Sequence, residues 1–226
     1  MHSVICTGVQ KAGTHLLWRA VQLLGVPKHP DQYAAQYRMD TNARFNRIWL
    51  DGGYAIHRHL PYEGKAMILG LTEQPVKFAV IIRHPKNILI SRARRAVGIK
   101  RETIDVEEAL MIHLGECGSG DSTLRPLFDP KRQLDWLGWL TDPDACVVRF
   151  EEFTGSRDDR LQALTRLNNY LDTTSPLTRH AIDDLVGESP TWSGENSVWQ
   201  EYWTDTIEER FIEIGGYEVM QMFGYE

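Results

Sequence analysis

The chain has 226 residues, 42% hydrophobic and 25% charged, an ordinary soluble-globular composition with enough apolar material for a sizeable core. Its 25 basic and 31 acidic residues leave a formal charge of −6, which argues against nucleic-acid phosphate as the main partner. No run approaches the roughly 18 apolar residues of a membrane span. The start carries no signal-peptide pattern and the three cysteines form no CxxC pair, so a cytoplasmic protein without disulfides or membrane insertion is expected.

In chain order, Ser3–Thr7 reads as a short buried strand and Gly8–Gly13 as a tight loop. Thr14 opens a helical pattern through Leu17, Val21 and Leu24, stopped by Gly25 and Pro27. Residues 28–47 are polar with interspersed Tyr33, Tyr37 and Phe45, the pattern of a surface helix or lid. Tyr54–His57 predicts a short strand. Lys77–Ile82 predicts an almost wholly apolar one, as in a parallel sheet buried on both faces. Pro85 suits the first turn of a helix running to about Val97.

A helix near Val106–Leu114 follows, then a second lid-like segment within 115–130, a helix over 131–140 and a strand over Ala145–Phe150. Helices over Arg157–Leu171 and from about Asp205 onward flank a Gly/Ser/Trp loop at 187–199. There is no repeat and no interdomain linker. The expectation is a single domain spanning 1–226, of α/β class, with three α/β/α layers around a central, mainly parallel sheet.

Three segments carry chemistry. Gly8 and Gly13 have four residues between them, as in a phosphate-binding loop, where small residues let backbone N–H groups and a helix N-terminus converge on one anion. The Walker pattern puts Lys and Ser/Thr directly after the second glycine. Here those positions hold Thr14 and His15, and the lysine stands inside the loop as Lys11. That arrangement suits a smaller anion than a Mg²⁺-bound triphosphate.

Arg83, at the end of the Lys77–Ile82 strand, sits where open parallel sheets bind ligands. With Ser91 eight residues later it makes a phosphate clamp. From Arg83 to Arg101 there are seven basic residues and no acid. Two anion sites on separate strand ends fit a 3′,5′-bisphosphorylated nucleoside. The third segment, His57-Arg58-His59, offers a neutral imidazole as general base, and it lacks the further ligands of a zinc site.

Together these segments resemble the sulfotransferases that use 3′-phosphoadenosine 5′-phosphosulfate (PAPS). Thr7-Gly-Val-Gln-Lys-Ala-Gly-Thr14 is similar to the family's PKSGTTW loop. Arg83-His-Pro-Lys-Asn-Ile-Leu-Ile-Ser91 is similar to RNPKDVxVS, Arg58–Tyr62 to THLP, and Val148–Phe153 to the YEDL-type stretch.

The resemblance implies transfer of a sulfuryl group from PAPS to a hydroxyl, or an amine, of a small-molecule acceptor. The co-product is 3′-phosphoadenosine 5′-phosphate (PAP), and no metal is called for. It makes His59 the base, Lys11 the stabiliser of the transferring group, and His57 a further residue near it. Gln10, Lys11, Ala12, Gly13, Thr14 and His15 then hold the 5′ group, and Arg83 and Ser91 the 3′-phosphate. Phe150, Trp192 and Gly194 complete the nucleotide site, with Trp192 expected to stack on adenine.

Departures are visible. Leu16 stands where the family has a tryptophan, Phe150 where it has a tyrosine, and Trp192-Ser193 where it has Arg-Lys. The dimerisation motif KxxxTVxxxE is poorly matched from Gln200 to Glu209, which implies a monomer or a different dimer. A small-molecule kinase and a non-catalytic PAP-binding module are the competing readings.

Overall fold

The structure is a computed structural model that describes residues 2–28, 52–100, 105–116, 128–186 and 199–226. It begins with β1 (Ser3–Gly8), α1 (Thr14–Leu23), β2 (Ala55–His57), α2 (Gly64–Leu69) and β3 (Val76–Ile82). Next come α3 (Pro85–Lys100), α4 (Val106–His113), α5 (Pro130–Leu134), α6 (Gly138–Thr141), β4 (Ala145–Arg149), α7 (Phe150–Thr154) and α8 (Arg157–Leu171). Helices α9 (Arg179–Asp184), α10 (Trp199–Tyr202), α11 (Asp205–Glu213) and α12 (Gly216–Met222) end the chain. Two compact units result, Met1–Ile82 with Gly138–Gly194, and Arg83–Leu137 with Glu195–Glu226.

The first unit holds the sheet, in the order β2-β1-β3-β4 with every neighbouring pair parallel. This is the expected α/β class, a central parallel sheet flanked by helices. All six residues of β1 are buried, as are the last five of β3, so neither strand alternates polar with apolar side chains. Helix α1 buries Thr14, Leu17, Ala20 and Val21 along one stripe, and Trp18 ties it to β2 by donating from Nε1 to the Ala55 carbonyl at 2.9 Å. Gly25, at φ +90°, ends it as the sequence implies.

The path from β1 leads to β2 on one side, while β3 lies on the other. The carboxyl ends of β1 and β3 therefore border the point where strand order reverses, the crevice in which open α/β sheets bind ligands. Register places Gly8 opposite Ile81. A Cβ on Gly8 would stand 2.4 Å from the Ile81 carbonyl oxygen, so the loop leaves β1 on a residue that only glycine fits.

Two of the boundaries that differ from the sequence reading show their cause. The helix expected over 131–140 is two short ones, α5 and α6, joined by a turn in which Trp136 and Leu137 donate back to Gln133 and Leu134. The strand expected to reach Phe150 stops at Arg149, whose N–H is taken by the Glu152 carboxylate at 2.7 Å. That bond starts α7 at Phe150. Helix α8 matches its expected span because a Ser156/Asp159 capping box starts it and left-handed Asp172 ends it.

The second unit is helical among its described residues. Asp105 caps α4 by accepting from Glu108 N–H at 2.8 Å, and Thr204 caps α11. Lys86, near the start of α3, pairs with Glu208 of α11 at 2.7 Å. The rings of Trp199, Trp203, Phe211 and Tyr217 surround its ammonium at 4.7 to 5.6 Å. Burial pushes the Glu208 carboxyl up, but hydrogen bonds from Lys86, Tyr217 and Trp203 outweigh it and hold the group below its ordinary range. Among the described residues no helix is long and apolar enough to cross a membrane.

Candidate active site

The loop after β1 turns sharply. Ala12 N–H donates to the Val9 carbonyl at 2.9 Å, and Lys11, third in that turn, has φ +74°. A lysine in left-handed backbone is unusual and belongs to the strained residues that cluster at ligand clamps. Gly13, at φ +103°, caps α1 without any side-chain bond, and no acid stands in that helix's first turn. The end is thus an uncapped, electropositive helix terminus, the form suited to an anion. Gln10 and His15 are exposed, Lys11 and Gly13 half-buried, Ala12 and Thr14 buried.

Phe150 lies beneath this loop. Its ring stands 2.4 Å from where a Gly13 Cβ would be, and the side chain is buried. Its ring therefore acts on the loop backbone, a role that the motif did not disclose.

At the end of β2, the chain continues beside β1. Arg58 N–H donates to the Cys6 carbonyl at 2.9 Å, and His59 Nδ1 lies 2.7 Å from the Gly8 carbonyl oxygen. A carbonyl only accepts, so in the neutral ring Nδ1 carries the proton and Nε2 the lone pair. His57, one strand position earlier, is buried, stacks on His15 with centroids 4.2 Å apart, and meets His59 edge-on at 5.4 Å. Burial, then the neighbouring His15 and His59, push its pKa down to about 3, so it is neutral at physiological pH. Its buried Nε2 has no hydrogen-bond partner.

Two further residues hold this segment, a role that the sequence reading gave to neither. Thr7, fully buried on β1, accepts from Leu60 N–H at 2.7 Å and donates to the Leu60 carbonyl at 3.1 Å. Trp139 Nε1 donates to the same carbonyl at 3.1 Å. The only available signal was a threonine inside an apolar strand, since a buried hydroxyl must find partners.

The structure thus gathers the glycine loop, His15, His57, His59 and Phe150 at one end of the first unit. Arg83 and Ser91 belong to the second unit: Arg83 is buried directly after β3 and Ser91 is half-buried on α3. His84 between them stacks on Trp199 at 5.8 Å. Trp192, Gly194, the 28–47 segment beyond Lys28 and most of 115–130 lie outside the described residues. Among the described residues no group of three or more His, Cys, Asp or Glu side chains is arranged to hold a metal ion.

No family model and no curated protein matches the chain by sequence. Solved structures do match by fold. Mouse sulfotransferase SULT7A1 complexed with PAP superposes with a TM-score of 0.65 at 15% identity, over 97% of this chain and 85% of that one. Retinol dehydratase in complex with androsterone and inactive cofactor PAP gives 0.59 at 13%, over 97% and 80%.

Proposed function

We propose that this chain, which has the fold of the PAP-bound sulfotransferases, moves a sulfuryl group from PAPS to a hydroxyl, or an amine, of a small-molecule acceptor. The observation that carries the reading is His59 held through Nδ1 by the Gly8 carbonyl at 2.7 Å. That bond leaves Nε2 as a base at the edge of an anion-receptive loop. An uncapped α1 terminus, glycines that admit no Cβ and a lysine inside the turn fit a 5′-phosphosulfate.

In this reading His59 Nε2 takes the acceptor proton. The acceptor oxygen (or nitrogen) forms its bond to sulfur as the bond from sulfur to the 5′-phosphate oxygen breaks, and PAP is released. Lys11 and the amides of residues 12–15 stabilise charge where it develops on the leaving oxygen. PAPS supplies the sulfuryl group and a good leaving group, and the protein's share is positioning, proton removal and charge stabilisation. Neutral His57 contributes a hydrogen bond but no charge near the transferring group. Arg83 and Ser91 bind the 3′-phosphate, and Trp192 stacks on adenine. Lys86, already paired with Glu208, is not assigned to the phosphate.

His59→Asn tests the base. Turnover, followed with ³⁵S-labelled PAPS and a panel of phenols, alcohols and amines, is expected to fall roughly 10²–10⁴-fold. PAP affinity by calorimetry is expected to stay within about threefold. Undiminished turnover removes the base. Binding of Mg-ATP in preference to PAP makes the protein a kinase instead, and PAP binding without any transfer makes it a binding module.

A further inference from the structure

We infer that Thr7 is the positioning residue of the base: its hydroxyl fixes the backbone at Leu60 and thereby the tautomer and aim of His59. The inference rests on the sulfotransferase reading for its catalytic meaning, though its geometry stands apart from it. Thr7 Oγ1 serves Leu60 twice, as acceptor for its N–H at 2.7 Å and as donor to its carbonyl at 3.1 Å. Parallel pairing of β1 with β2 reaches Cys6 opposite His57, and one further bond joins Arg58 N–H to Cys6. Beyond that the strands have no regular ladder. The threonine side chain takes over where the backbone pattern stops.

The two bonds are not equivalent. Trp139 Nε1 also donates to the Leu60 carbonyl, so that oxygen keeps a partner if the threonine hydroxyl is lost. The Leu60 N–H has no second acceptor of this kind, and an unsatisfied buried amide drives the backbone to move. Leu60 follows His59 directly. Movement there rotates the imidazole away from the Gly8 carbonyl, on the residue next to Thr7, and releases the constraint that keeps the proton on Nδ1. A base displaced by about 1 Å loses on the order of 10²-fold in rate.

The test compares Thr7→Val, which keeps the shape and removes the hydroxyl, with Thr7→Ser, which keeps the hydroxyl. In the full-length ¹⁵N-labelled chain, two-bond imidazole NMR is expected to show His59 as the single Nδ1–H tautomer in wild type and Thr7→Ser. Thr7→Val is expected to give a mixture. With ³⁵S-labelled PAPS and the acceptor panel, Thr7→Val should lower kcat about 10–100-fold and Thr7→Ser less than about threefold, with PAP affinity unchanged.

A single unchanged tautomer in Thr7→Val overturns the inference, as does Thr7→Ser behaving like Thr7→Val. A tautomer change in Thr7→Val, together with a wild-type protein that transfers no sulfuryl group, keeps the positioning role and removes the sulfotransferase reading. If Thr7→Val does not fold, amide exchange in wild type decides: the Leu60 amide must be protected as strongly as that of Arg58, and fast exchange at Leu60 overturns the inference.

Discussion

The loop-and-histidine end of the first unit and the Lys86 knot of the second are both built from buried polar groups, yet they are finished in opposite ways. In the Lys86 cluster the cation and its counter-charge are both answered. Glu208 takes the ammonium, Trp203 and Tyr217 donate to the same carboxylate, and four rings close over the cation. At the loop, capacity is left over. The α1 terminus has no side-chain cap, Lys11 and Gly13 hold left-handed backbone, and the buried His57 Nε2 has no partner. Satisfied polar clusters stabilise a fold, whereas unfinished ones cost stability and are kept where a ligand completes them. The contrast separates a finished polar cluster from an unfinished one.

Three experiments press on that contrast. The largest effect is expected at Gly13. Alanine there meets both left-handed backbone, at about 1–2 kcal/mol, and the Phe150 ring, with overpacking at about 1–3 kcal/mol. A loss of about 4 kcal/mol in chemical denaturation is expected for Gly13→Ala, partly recovered by adding Phe150→Leu. A cost below about 1 kcal/mol shows that the loop is free to relax and is not held in shape by the ring beneath it.

Glu208→Gln comes next. It leaves the Lys86 ammonium, nearly buried, without its counter-charge, and about 3 kcal/mol is expected, the lower end for a buried pair because Glu208 is partly exposed. PAP affinity should not change. A stable Glu208→Gln protein with weakened PAP binding would contradict the assignment of this cluster to structure alone.

The third effect is set by pH. The folded-state pKa of His57 is depressed to about 3 from an ordinary 6.5. Between those values the unfolded chain binds a proton that the native protein does not, so acid favours unfolding. Stability should fall by about 2 kcal/mol from pH 7 to pH 5 on this account. His57→Phe should remove that part of the slope. An unchanged slope in the variant puts the acid sensitivity elsewhere.

Much of this was legible in the sequence, and the reason differs from residue to residue. The apolar runs of β1 and β3 announced strands buried on both faces because no other element tolerates such runs so briefly. Gly8, Gly13 and the displaced Lys11 announced the loop because backbone conformation at those points is dictated by the residues themselves. The break between α5 and α6 was not legible, since Gly138 takes its place against the Tyr62 ring, a neighbour 76 positions away. The early end of β4 was written locally, in Glu152 reaching back to Arg149, but an apolar Phe150 masked it.

By itself, then, the sequence determined the α/β class, the glycine loop and the types of side chain at hand, because periodicity and backbone permissiveness are local properties. Only the tertiary structure decided which nitrogen of His59 holds the proton, that Phe150 supports the loop and that Thr7 fastens Leu60. Each of those depends on atoms brought together from strands and helices far apart in the chain, and hydrogen-bond direction and ring contact exist only once the parallel register has been set.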